Sequence, residues 1–197
     1  MVCKEKNFLV LNNGSETIDN LYLMLREFNV KFEVKNPGQY FNPENYLGII
    51  ISGGFLPRNS YRELLSWYRN LLSSTSLPIL GICLGLRILG YHYGARIRRM
   101  GEGENGVVKI FFHKDYPLAP GIKELKVYEL HDYELISTGE SLENYASSEK
   151  CRIQAVKHKI KPQYGVQFHP EVNSNNDGKI VIKNFIKECL KKTKEVP

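Results

Sequence analysis

The sequence predicts an α/β fold, a mostly parallel central sheet with flanking helices followed by a more β-rich second half. Three observations carry that reading. Short apolar runs alternate with helical patterns through the first half, at 8–11, 18–28, 31–34, 47–51, 61–72 and 79–83, as successive βα units do. The run Leu47-Gly48-Ile49-Ile50-Ile51 is apolar at nearly every position, as expected of a strand covered on both faces. From Ala95 onward the helical period stops. Strand-like segments then follow at 107–112, 125–130, 143–148, 152–158 and 163–168, before a closing helix over 178–190.

The first helix is read from apolar residues at Ile18, Leu21, Tyr22, Leu25 and Phe28, with Ser15 as its N-cap. Pro117, Pro120-Gly121 and Lys161-Pro162 punctuate the later strands, and the polar stretch from Asn173 to Gly178 reads as a surface loop. With 197 residues, one core and one domain over 1–197 are expected. No stretch approaches the roughly 20 apolar residues of a membrane span, and the opening Met1-Val2-Cys3-Lys4-Glu5-Lys6 has no secretory pattern, so a cytoplasmic protein is expected. Cys3, Cys83, Cys151 and Cys189 are widely spaced, and no Cys/His spacing suits zinc; neither disulfides nor a metal site is expected. The net charge of +6 resides largely in lysines of the last helix and tail, Lys179, Lys183, Lys187, Lys191, Lys192 and Lys194. A solvated helix face explains them better than a nucleic-acid partner. Arg96, Arg98 and Arg99 form a tighter group, read in the same way as an exposed face.

The chemistry concentrates in three places. Leu77-Pro78-Ile79-Leu80-Gly81-Ile82-Cys83-Leu84-Gly85 is an apolar strand running through G-x-C-x-G into a helical pattern, the layout of a nucleophile elbow. At a helix N-terminus, amide groups and the helix dipole favour an anion, so the Cys83 thiol should ionise readily. Alone, such a cysteine would more often be a buried packing residue. The second place, Tyr164-Gly165-Val166-Gln167-Phe168-His169-Pro170-Glu171-Val172, changes that balance. Residues i and i+2 of an extended chain face the same way, which sets Glu171 beside the His169 imidazole. A base and its orienting carboxylate result. The third is Ile51-Ser52-Gly53-Gly54-Phe55, where a buried strand breaks into two glycines. Small residues there let backbone amides reach a developing oxyanion, and the amides of Gly54 and Leu84 are the two donors assigned. A phosphate-binding loop would need a Gly-Lys-Ser/Thr ending that is missing here; a plain turn stays open for this segment taken alone.

Together and in this order, the glycine pair, the G-I-C-L-G elbow and G-V-Q-F-H-P-E-V resemble the class I glutamine amidotransferases over nearly the whole chain. Within that family, Val127 to Asp132, Ile153 to His158 and the closing Val172 look most like the amidotransferase subunit of GMP synthase. The resemblance implies a flavodoxin-like architecture and a Cys-His-Glu triad of Cys83, His169 and Glu171. Cys83 would attack the side-chain amide of L-glutamine through a γ-glutamyl thioester, and His169 would protonate the departing ammonia. It implies substrate contacts at Gly53 and at the position of Arg87. It also implies a separate ATP-dependent synthetase as partner, with ATP and Mg²⁺ on that partner and no cofactor in this chain.

Three departures from the family pattern stand out. Leu86-Arg87 replaces His-Gln, exchanging a donor and acceptor for a donor only. Leu130-His131-Asp132-Tyr133 stands where the GMP synthase pattern reads Ser-His-x-Asp. Phe55-Leu56-Pro57 replaces a Gly-Gly-Pro turn. Two further readings therefore remain open, a γ-glutamyl hydrolase or peptidase, in which Arg87 holds a substrate carboxylate, and a non-catalytic regulatory homologue.

Overall fold

A computed structural model describes residues 6–55 and 57–192. Cys3, Leu56 and Lys194 lie outside the described residues. Nine strands form a single sheet in the order β2-β1-β3-β4-β9-β8-β7-β5-β6. They are β1 (Asn7–Asn13), β2 (Phe32–Lys35), β3 (Tyr46–Gly54), β4 (Ile79–Ile82), β5 (Ile97–Phe112), β6 (Glu124–Leu135), β7 (Leu142–Ser147), β8 (Ala155–His158) and β9 (Gln163–Val166). The pairs β1/β2, β1/β3, β3/β4 and β4/β9 are parallel; β8/β9, β7/β8, β5/β7 and β5/β6 are antiparallel. The mixed α/β sheet thus has the expected parallel half and β-rich half.

Four helices cover the parallel half, α1 (Ile18–Glu27), α2 (Tyr61–Ser74), α3 (Leu84–His92) and α4 (Lys179–Lys192). The period-2 alternation of the strands sorts side chains to two layers. Phe8, Val10, Ile50, Leu80 and Ile82 pack with Leu21 and Leu25 of α1 and with Val181, Ile182 and Phe185 of α4. Leu9, Leu11, Ile49, Ile51 and Ile79 pack on the opposite face with Tyr68 and Leu72 of α2 and with Leu84, Ile88 and Leu89 of α3. Both faces of β3 are therefore buried, which is why its sequence is apolar without interruption. Among the described residues no helix is long and apolar enough to cross a membrane.

The structure corrects several sequence-based boundaries. Thr17, not Ser15, is the N-cap of α1, and it makes no side-chain cap bond; both hydroxyls are engaged elsewhere, as shown below. The strand expected from 107 begins at Ile97, because Gly101, Gly103 and Gly106 interrupt the alternation that would have revealed it. The strand expected at 125–130 continues to Leu135. The expected solvated faces are present: Lys183, Lys187 and Lys191 on α4 are exposed, as are Arg96, Arg98 and Arg99.

Helix α3 lies so close to the sheet that Gly85 has no room for a side chain. An added Cβ would run into the carbonyl oxygen of Ile51 and lie 3.1 Å from its carbonyl carbon, backbone atoms that cannot swing away. Gly101 has open space in the same direction. Gly85→Ala is expected to lower stability by about 1–3 kcal/mol as an overpacking change, read as a lower urea midpoint, with Gly101→Ala within about 1 kcal/mol of the parent.

Candidate active site

The elbow is strained where the sequence suggests. Cys83 sits between β4 and α3 at φ 50° and ψ −99°, a left-handed conformation that costs a non-glycine residue of order 1–3 kcal/mol. The turn is held by its neighbours. The Cys83 amide donates to the Val166 carbonyl at 2.8 Å, tying the elbow to β9. Gly81 faces Gly85 so closely that an added Cβ would lie 2.5 Å from the Gly85 carbonyl carbon.

Strand β9 ends at Val166, and the chain after it carries Gln167 and His169 toward the sulfur. His169 is 3% exposed and Glu171 2% exposed. The His169 Nδ1–H donates to Glu171 Oε1 at 2.8 Å, which leaves Nε2 free, and the ring lies beside Cys83: a Cβ added to Gly53 would lie 2.8 Å from His169 Cε1 and 3.6 Å from Cys83 Cβ, and both residues line one cleft. Backbone bonds fix the ring. The His169 amide donates to the Tyr128 carbonyl on β6 at 2.8 Å, and Asn176 Nδ2 donates to the carbonyls of His169 and Val172 at 2.8 Å each.

Thr17 is a site residue that the sequence reading missed. Its hydroxyl donates to Glu171 Oε1 at 2.6 Å and lies 3.1 Å from His169 Nδ1, while Ser15 Oγ is 2.9 Å from Thr17 Oγ1. Thr17 thus supports the Glu171 carboxylate, and Ser15 supports Thr17, whose backbone N–H it also accepts at 3.3 Å. A Ser-x-Thr pair at the end of β1, a strand adjacent to the β3 loop, was the available signal, and capping explained it equally well.

Gly53 and Gly54 divide their roles. An added Cβ on Gly53 would lie 2.8 Å from His169 Cε1, so its lack of a side chain admits the imidazole; Gly53 is buried and is not among the residues lining the cleft. Gly54 has φ +119° and lines the cleft with Cys83 and Leu84. Leu84 opens α3, so its amide is one of the first-turn donors that no helical carbonyl can satisfy. Of the two departures after Gly85, Leu86 is fully buried against Leu135, Leu142, Ile153 and Val156. Arg87 faces the site: its Nη2 approaches Cys83 Sγ at 3.8 Å, and its guanidinium lies 5.6 Å from the centre of the Tyr133 ring. The resulting cleft, about 1220 Å³, is walled by Thr17, Gly54, Cys83, Arg87, Tyr133 and His169 among others.

Electrostatics favour a charged pair. Burial pushes the Cys83 thiol up, yet the adjacent His169 imidazole and the positive charges of Arg87 and His131 outweigh this and bring it below the ordinary thiol value. Burial would lower His169, but Glu171 and the Cys83 sulfur raise it to about 11. Both shifts run in the direction that favours a thiolate beside an imidazolium.

Glu104, His131 and Cys151 bring donor atoms within 4.8 Å of one another, a set with the chemistry to hold a metal ion. His131 Nε2, however, already faces Glu104 Oε2 and Glu129 Oε2 at 3.1 Å each. The Cys151 thiol, pushed up by burial, donates to the Ile153 carbonyl at 3.5 Å. His131 and Cys151 are thus already engaged with protein groups, while both Glu129 oxygens lack a hydrogen-bond partner among the described residues.

A family model for class I glutamine amidotransferases matches residues 9–189. The chain belongs to that family. Its curated relatives include the glutamine-hydrolysing GMP synthase subunit of Methanococcus aeolicus, 34% identical over 92% of this chain and 96% of the relative. The subunit of the same description from Methanocaldococcus jannaschii is 31% identical over the same shares. Among solved structures, the corresponding candidate GMP synthase subunit from Thermoplasma acidophilum superposes with TM-score 0.87 at 27% identity, covering 96% of each chain. A glutamine amidotransferase from Thermotoga maritima (TM-score 0.74, 23% identity, 96% of this chain and 86% of that one) shares the fold.

The sign of the Cys83 and His169 shifts sets a pH test. A depressed thiol keeps its thiolate as pH falls below the ordinary value of about 8.5, where a free cysteine loses roughly tenfold in reactivity per pH unit. The midpoint of Cys83 alkylation by iodoacetamide is expected to lie below that of a free thiol, with Cys151 unlabelled in the folded protein. Peptide mass spectrometry of timed samples reads both.

Proposed function

We propose that this chain is a glutaminase subunit that hydrolyses L-glutamine on Cys83 and delivers the ammonia to a separate ATP-dependent synthetase. The observation that carries the proposal is the strained Cys83 and the His169 bonded to Glu171 meeting at the wall of one open cleft. The Cys83 thiolate attacks the side-chain amide carbon of glutamine, and the Gly54 and Leu84 amides receive the oxyanion. His169 gives its proton to the departing nitrogen, so the C–N bond breaks as ammonia leaves and a γ-glutamyl thioester remains. His169 then takes a proton from water, the hydroxide adds to the thioester carbon, and glutamate leaves as the thiolate re-forms. Glu171 holds the ring in one tautomer throughout, and Thr17 holds Glu171.

The relatives' description as GMP synthase subunits supports xanthosine monophosphate, activated with ATP and Mg²⁺ on the partner, as the acceptor of that ammonia. On this reading the chain itself carries no cofactor, acts as one domain over 1–197 and works in the cytoplasm. Ammonia escapes by protonation and diffusion unless its source is docked against its consumer, so the cleft mouth is the side that meets the synthetase.

Cys83→Ser and Cys83→Ala are expected to abolish ammonia release, and His169→Ala to come close to this. Glu171→Gln should retain more activity than either, because an orienting group usually costs less than the base it orients. Steady-state rates with and without the synthetase check the order; equal, mild effects of all three changes would exclude the triad.

One observation favours a second reading strongly enough to test it. The Nε of Arg87 is buried and lacks a hydrogen-bond partner among the described residues, leaving a donor for a substrate carboxylate. A γ-glutamyl hydrolase would use it, and Arg87→Gln would then weaken a γ-glutamyl dipeptide by roughly ten- to a hundredfold. The glutaminase reading expects Arg87→Gln to act on glutamine and the dipeptide alike, through the loss of one positive charge beside the Cys83 sulfur, with no loss confined to the dipeptide. Leu86 is left unchanged because it belongs to the core.

A further inference from the structure

The mechanism above leaves one buried set of charges beside the nucleophile unused. On β6 the inward positions run Leu125, Val127, Glu129 and His131, so an apolar alternation gives way to charge where the strand reaches Cys83. His131 Nε2 stands 3.1 Å from both Glu104 Oε2 and Glu129 Oε2, and none of the three residues is more than 7% exposed. Glu104, on β5, also accepts from Ser148 Oγ at 2.6 Å and Gln154 Nε2 at 2.9 Å. Among the described residues no donor other than His131 approaches the Glu129 oxygens. A buried carboxylate needs a counter-charge: Glu104, held below the ordinary carboxylate range by His131 and Ser148 despite its burial, keeps the proton on the ring nitrogen it faces, while burial pushes the Glu129 carboxyl up.

The same strand touches the site directly. The Tyr128 carbonyl accepts the His169 amide, and the Leu130 carbonyl oxygen lies 3.9 Å from Cys83 Sγ. A carbonyl aimed at sulfur disfavours a thiolate, because its negative end faces the developing charge. His131 follows Leu130 and lines the same cleft. We propose that His131, fixed as an imidazolium between Glu104 and Glu129, is a positioning residue that offsets the Leu130 carbonyl and keeps the Cys83 sulfur ionised.

Cations from three elements then act on the sulfur: His169 beyond β9, Arg87 on α3 and His131 on β6. Each is backed or flanked by negative or neutral groups. Glu171 lies behind His169, and Glu104 and Glu129 lie behind His131. Glu16 and Asp132 line the cleft, Glu134 is paired with Arg98 at 2.7 Å, and the Cys151 thiol stays neutral because burial and the nearby carboxylates push it up.

The inference rests on Cys83 being the nucleophile, and its test is separable from that reading. His131→Gln keeps an N–H donor toward both carboxylates, so a purely structural brace would survive it. The expected result is a rise of roughly half to one pH unit in the midpoint of the Cys83 alkylation profile. With it should come about a tenfold fall in kcat and a KM within about twofold of the parent. An unmoved midpoint overturns the proposal whatever happens to activity. A second measurement needs no variant: the ring carbon and nitrogen NMR shifts of His131 in the unaltered protein should remain those of an imidazolium at about pH 8, and a neutral ring at about pH 7 would overturn the proposal equally. Failure of the glutaminase reading shows instead as an unaltered protein that releases no ammonia with its synthetase, while both His131 measurements remain readable.

Discussion

The hydrogen bond from the Cys83 amide to the Val166 carbonyl is the constraint from which the rest of the site follows. It joins a strained turn at the end of β4 to the end of β9, two parallel neighbours whose next residues carry the thiol and the imidazole. Neither strand could be displaced along the other without separating Cys83 from His169. The strain at Cys83, φ 50°, is sustained by packing on both sides: α3 lies close enough to β3 that only glycine fits at 85, and the Ile49, Ile51 and Ile88 layer holds that helix down. The apolar continuity of β3 and β4 is thus connected to chemistry. It fixes the sheet to which the elbow is anchored, and it excludes water from the strands beneath the thiol.

Charge is arranged around the sulfur in the same economical way. Glutamates face both histidines, Glu171 beside His169 and Glu104 and Glu129 beside His131, and two of the three are held by a hydroxyl, Glu171 by Thr17 and Glu104 by Ser148. These hydroxyls come from the ends of β1 and β7, so the charge pattern depends on strands at opposite parts of the sheet. Low dielectric surroundings make each contact stronger than it would be in water and make an unpaired member costly. The mixed character of the sheet matters here. The parallel half supplies the elbow and the glycine loop, while the antiparallel half folds β6 across the site to supply Tyr128, Leu130 and His131.

How much of this was legible in the sequence depends on whether a residue's role is local. The G-x-C-x-G elbow and the His-Pro-Glu step are short-range patterns: Cys83 stands at a positive-φ turn between β4 and α3, and Glu171 bonds His169 as the i, i+2 spacing implies. The alternating βα units of the first half and the two-sided burial of β3 were legible for the same reason. Ser15 was read as the N-cap and Thr17 was passed over, because hydroxyls at a helix start ordinarily serve as caps, and only the return of the chain 152 residues later to His169 and Glu171 gives Thr17 its other role. Glu104, Glu129 and His131 could not be read at all: their partnership is set by the β5/β6 register, which shifts between Arg99 and Glu104. Leu86 and Arg87 looked like a joint departure in the substrate pocket, but helical geometry turns one into the core and the other toward the sulfur.

The central claim is that glutamine is turned over through a covalent bond to Cys83. Rapid acid quench of the chain during turnover of isotopically labelled glutamine, with its synthetase present, followed by peptide mass spectrometry, tests it most directly. The account predicts a labelled γ-glutamyl group on the peptide containing Cys83 and none on those containing Cys151 or Cys189. Steady ammonia release with that peptide unmodified at every quench time, or a label carried by another residue, would contradict it.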